Sequence, residues 1–70
     1  MKISARNGLD CTVKAITVGV VNTEVVLALP DGQEIVSIIT RQSAESLGLE
    51  PGKQVKAIVK ASNVMIGVDA

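Results

Sequence analysis

Seventy residues, 47% of them apolar and none of them Phe, Tyr, Trp or His, make a single domain (1–70) whose core must be Val, Ile, Leu and Ala. Seven basic and seven acidic side chains cancel, which argues against a nucleic-acid binder with its basic excess and stacking aromatics. One cysteine, Cys11, rules out an internal disulfide, and the missing histidines rule out an ordinary structural zinc site.

The chain reads mostly as strands. Ile3 to Val18 alternates polar with β-branched residues and predicts one long strand, bent or bulged near Asn7-Gly8. Gly19 ends it. Val21, Thr23, Val25, Leu27 and Leu29 then fall on one face of a second strand. Pro30 stops that strand, and Asp31-Gly32 is expected to supply two positive-φ residues to a tight hairpin. Ile35 to Thr40 is apolar on both faces except at Ser37, as in a strand covered on both sides.

Thr40 can cap a short helix, with Ala44 and Leu47 on one side and Gly48 at its C-terminal stop. Pro51-Gly52 turns the chain into a fourth strand, Gln54 to Lys60. Ala61-Ser62-Asn63 makes a bend, and Val64 to Val68 predicts a fifth strand. The order β-β-β-α-β-β is that of a five-stranded, OB-like Greek-key barrel, all-β with one short helix. A core this small, without staples, predicts an oligomer. No apolar run approaches a membrane span and the start has no apolar signal core, so a soluble cytoplasmic protein without membrane contact is expected.

Catalysis finds little support. No histidine can act as a base, Cys11 has no activating neighbour, and the seven carboxylates show no pairing. Gly48 to Gly52 lacks the Lys-Ser/Thr of a phosphate loop and reads as a turn. The chain is expected not to be an enzyme.

Two polar clusters stand out. Ser4 and Arg6 share a face of an extended segment, and so do Lys60 and Ser62. A hydroxyl beside a cation suits a tetrahedral oxyanion. The bend at Ala61-Ser62-Asn63 frees backbone N–H groups, and Thr40 stands at a helix start, where free N–H groups favour an anion. Each cluster alone also reads as an ordinary polar strand flank, turn or cap. A desolvated dianion needs about six or more donors, because an unpaired buried charge is costly. One small subunit supplies too few; two subunits meeting at these segments supply enough.

The stretches "ISARN", "EVVLALPDG", "SIIT" and "AESLGLEPGKQVKAIVKASNVMIG" resemble the molbindins, small cytoplasmic molybdate-binding proteins of the transport-associated OB group. The resemblance runs from about Ile3 to Gly67. It implies a five-stranded OB-like barrel and a homohexamer built as a trimer of dimers. It also implies storage of molybdate or tungstate at subunit interfaces. Carried over position by position, Ser4, Ala5 and Arg6 fall on one motif of the principal site, Lys60, Ala61 and Ser62 on the other, and Thr40 near the same pocket. Val18, Gly19 and Val20 are the candidates for a second site, through main-chain N–H groups. Gly8 and Asp10-Cys11 depart from relatives that carry Gln and Lys-Gly there, outside the ligand motifs. With no aromatic to stack a pterin ring, the bare oxyanion is expected and no organic cofactor. The competing reading is a barrel used purely for assembly, with no ligand.

Overall fold

The first strand organises everything else, because it is long enough to serve two neighbours. In the computed structural model, which describes residues 1–69, β1 (Asn7–Val18) pairs with β4 (Gln54–Val59) over Asn7 to Thr12, and with β2 (Asn22–Ala28) over Thr12 to Val18. β2 pairs in turn with β3 (Glu34–Thr40), giving one antiparallel sheet in the order β3-β2-β1-β4. The helix α1 (Arg41–Ser46) lies between β3 and β4 in the chain, as expected.

The irregularity in β1 falls at Lys14, not at Asn7-Gly8. Asn7 and Gly8 pair regularly with Val59 and Ile58, while the β1–β2 register shifts between Val13 and Ala15. The reason is the change of partner. Val13 still binds the β4 side, donating to Lys53 O at 2.9 Å and accepting from Gly52 N at 2.8 Å, just where β2 takes over. An extra residue there bends and twists the strand so that one chain segment can face two directions.

The hairpin after β2 also differs in detail. Gly32 alone has positive φ (91°), and Asp31 does not. Pro30, with its fixed φ, favours an ordinary four-residue turn closed by Gly32 N–H on Leu29 O at 3.0 Å, so only the residue after the turn must be left-handed. The Asp31 carboxylate accepts from the Gln33 backbone N–H (3.0 Å) and side chain (2.7 Å). Those bonds hold its carboxyl below the usual carboxylate range, so their contribution is present at neutral pH and fades only as acid protonates it.

α1 is closed at both ends. Thr40 Oγ1 accepts the Ser43 N–H at 3.0 Å. At the other end Gly48 (φ 62°) donates to Glu45 O and Leu49 to Ala44 O, and Lys53 Nζ donates to Leu47 O at 2.6 Å and Gly48 O at 3.2 Å. Six residues could not hold a helix by propensity alone.

The core is Cys11, Val13, Val25, Leu27 and Ala57, flanked by half-buried Ile16, Ile35, Ile39, Leu49 and Val55. It is small, and the barrel around it is open. The fifth strand expected at Val64–Val68 does not form: four strands are present among the described residues. After β4 the chain makes a 3-10 turn (Ala61–Asn63), and the tail leaves with Met65 93% and Ile66 91% exposed. A strand requires a partner edge, and this turn leads the tail off β4 without delivering it to β3. The missing strand leaves an apolar trough of about 560 Å3 along β3 and β4, lined by Val25, Leu27, Ile35, Ile39, Val55 and Ala57 among others.

The β1–β2 turn has one position that tolerates only glycine. A Cβ on Gly19 would lie 2.5 Å from Asn22 O, the atom to which the Gly19 N–H donates at 2.8 Å. Gly19→Ala should therefore destabilise the chain by about 1–3 kcal/mol, measured by denaturant unfolding.

Candidate functional site

The β1–β4 register brings the two polar clusters together. Asn7–Val59 is the last pair of the ladder, so Ser4-Ala5-Arg6, which bends before β1 and does not extend the strand to Ile3 as expected, and Lys60-Ala61-Ser62 leave the sheet from paired residues. Ser4 is three residues from Asn7 and Ser62 three from Val59, which keeps each within about 11 Å of the last pair. Segments 56 residues apart in numbering, Ser4 to Lys60, thus share one end of the molecule.

Ion pairing sorts the cations. Lys14 pairs with Glu34, Arg41 Nε with Glu45 Oε1 at 3.2 Å, and Lys56 Nζ with Asp10 Oδ1 at 2.7 Å. Lys53 is held by the α1 carbonyls. Among the described residues this leaves Lys2, Arg6 and Lys60 without a carboxylate; Arg6 and Lys60 lie in the two segments just described, and Lys2 precedes the first of them. They are exposed, as are Ser4 and Ser62, with Ala5 half-buried.

The 3-10 turn adds backbone donors. Asn63 N–H binds Lys60 O at 2.9 Å and Val64 N–H binds Ala61 O at 3.3 Å, so the turn's own bonds use neither the Ala61 nor the Ser62 N–H. The two segments therefore carry two hydroxyls, two cationic heads and two backbone N–H groups, with no carboxylate paired to the cations among the described residues. That set is suited to a compact polyoxygen anion.

Thr40 is not brought to this end. It pairs with Asn22, beside the β1–β2 turn, and Arg41 N–H binds Val21 O at 2.8 Å. Within one chain Thr40 is thus at the far end of β1 from Arg6 and Lys60, a strand of 12 residues away. Its hydroxyl is already engaged, donating to Ser43 Oγ at 2.7 Å. Thr40 instead neighbours Val18, Gly19 and Val20. In that second group the Gly19 N–H is committed to Asn22 O, which removes one of the main-chain donors the sequence offered.

Two further features were not legible beforehand. Thr23 is fully buried, with its Oγ1 lacking a hydrogen-bond partner, and it lines a cavity of about 470 Å3 beneath α1. Lys2 joins the unpaired cations, and only the three-dimensional pairing of the other lysines reveals it. The apolar trough between β3 and β4 has no role as an anion site. Its two flanking lysines are already engaged, Lys53 with the Leu47 and Gly48 carbonyls and Lys56 with Asp10. No helix among the described residues is long and apolar enough to cross a membrane, and no group of three His, Cys, Asp or Glu is placed to hold a metal cation.

Residues 3–66 match the TOBE domain family. The chain is 52% identical over 66 residues to the molybdenum-pterin-binding protein MopA of Rhodobacter capsulatus, covering 94% of this chain but only 25% of MopA. It is 47% identical over 66 residues to molybdenum-pterin-binding protein 2 of Clostridium pasteurianum, covering 94% of this chain and 97% of that one. The fold superposes on a solved molybdate-binding protein from Sporomusa ovata with a TM-score of 0.91 at 43% identity, covering 97% of this chain and 100% of the other. With a family match over residues 3–66, full-length relatives and the same fold, the chain belongs to the TOBE-domain family and, within it, to the molbindins.

Proposed function

We propose that this protein binds molybdate or tungstate as the bare oxyanion and stores it at interfaces between copies of the chain in the cytoplasm. The observation that carries the reading is the sorting of charge. Arg6 and Lys60, two of the three cations with no carboxylate partner among the described residues, flank the Asn7–Val59 pair from which both hydroxyl-bearing segments leave the sheet. Relatives named for binding molybdate or molybdenum-pterin support the choice of anion. No aromatic side chain exists to stack a pterin, which favours the oxyanion alone.

Donor counting supports an interfacial site. A doubly charged oxyanion withdrawn from water needs a nearly complete shell of N–H and O–H groups. Ser4, Arg6, Lys60 and Ser62, with the Ala61 and Ser62 backbone, cover one side of such an ion. A second copy covers the other. Thr40 can join only from that second copy, since its own chain holds it at the opposite end of β1.

The open barrel supports the same assembly. A trough of about 560 Å3 and an uncovered apolar tail on one chain are complementary in character, and burying both gains roughly 25 cal/mol per Å2. A homohexamer arranged as a trimer of dimers satisfies both demands. The chemistry is binding only: the ion is desolvated, held by fixed donors and released unchanged. A ligand-free assembly module remains the outcome if no anion is taken up.

Three results are expected. Lys60→Ala should weaken molybdate binding by about 10- to 100-fold, the loss of one bond to a charged group, while leaving the oligomer intact by light scattering. Equilibrium dialysis at micromolar anion measures the loss, and absence of uptake by the wild type would end the storage reading. Mixing the separate variants Thr40→Val and Lys60→Ala after joint refolding should restore tight sites, because each mixed interface can pair an intact Thr40 with an intact Lys60. A site built within one chain would give no restoration. Removing residues 64–70 should abolish assembly and tight binding together, as read by sedimentation and dialysis.

A further inference from the structure

We propose that Lys2 attracts the oxyanion from a distance, as a steering residue that raises affinity without touching the bound ion. The proposal rests on the storage reading and extends it to a residue outside both ligand motifs. Three residues separate Lys2 from Arg6, which keeps their Cα atoms within about 14 Å of each other. Lys2 is exposed and has no carboxylate partner among the described residues.

The rest of the charge gives Lys2 its leverage. The chain is neutral overall, so no global field draws anions in. Ion pairing leaves particular charges uncompensated instead. Lys2 and Arg6 precede β1 and Lys60 follows β4, all without a carboxylate partner among the described residues. Glu24, Asp31, Glu50 and Asp69 have no basic partner among them either, and Glu24 and Glu50 lie near the β1–β2 turn and the cavity with Val18 and Thr23. Exposed and unpaired, Lys2 adds positive potential on the side where β1 begins. Lys2 adds to this field without entering the shell of donors, because it lies beyond the two hydroxyl-cation clusters. An attraction of this kind falls with ionic strength, while direct ligation resists it.

The test is calorimetric titration of the full chain with molybdate, in about 20 mM and in about 300 mM salt. For a dianion roughly 10 Å away, Lys2→Gln should weaken binding about two- to threefold at low salt and by less than about 1.5-fold at high salt. Lys2→Glu should show about twice the effect on a logarithmic scale. Lys14→Gln removes the same charge eight residues into β1 from a lysine already paired with Glu34, and should leave affinity unchanged at both salts. No loss for Lys2→Gln at low salt overturns the inference, and so does a loss undiminished at high salt, which would make Lys2 a direct ligand. An equal loss in Lys14→Gln overturns it too, because net charge would then suffice. In those three cases wild-type binding persists and the storage reading survives; failure of the wild type to bind at either salt overturns both.

Discussion

The pairing of β1 with β4 is the constraint on which the site depends. Six consecutive residue pairs, from Asn7–Val59 to Thr12–Gln54, place the beginning of the chain beside its last quarter. Side chains alternate across a strand, so a slip of one residue would turn Cys11, Val55 and Ala57 out of the core. The core thus sets the register, and the register sets which polar residues meet beyond the end of the ladder. Ser4, Arg6, Lys60 and Ser62 need no contact of their own to become neighbours. Burial elsewhere puts them there.

The same small core explains why one chain looks unfinished. Without aromatic rings, only a handful of residues are buried, and Val36, Ile38, Val20 and the tail stay in water. β1 compensates by bending at Lys14 to serve two partners, yet the sheet still ends in the free edges of β3 and β4. Free edges and exposed apolar surface are liabilities that association removes. The exposed tail begins just after the 3-10 turn that carries Ala61 and Ser62, so the uncovered apolar residues and those donors adjoin in the chain.

Electrostatics here works by subtraction. A neutral chain with seven cations and seven anions would ordinarily have little hold on a small ion. Three ion pairs and one helix cap remove four of the cations from play. Exposed pairs of this kind contribute little to stability. Their effect is to leave Lys2, Arg6 and Lys60 as the cations without a protein partner among the described residues. Thr23, buried and without a hydrogen-bond partner, has no such account; nothing in the structure explains its hydroxyl.

Periodicity and turn chemistry determined much in advance. The four strands, the Thr40 cap, the Gly48 stop and the polar identity of both clusters were legible because each depends on neighbours within a few residues. What failed was what depends on distant partners. The bulge belongs at Lys14 because β4 and β2 exchange there, and nothing local to Asn7-Gly8 could reveal it. Asp31 avoids positive φ because Pro30 selects the turn. Val64–Val68 has strand character, but after the 3-10 turn it joins neither free edge of the sheet. Thr40 reads as a partner of Arg6 and Lys60, yet the β2–β3 pairing holds it at the opposite end. The amino-acid sequence by itself determined which chemical groups exist and the local conformation each prefers. Tertiary structure alone decided which groups meet and which charges cancel, because strand register and ion pairing are set by burial between segments far apart in the chain.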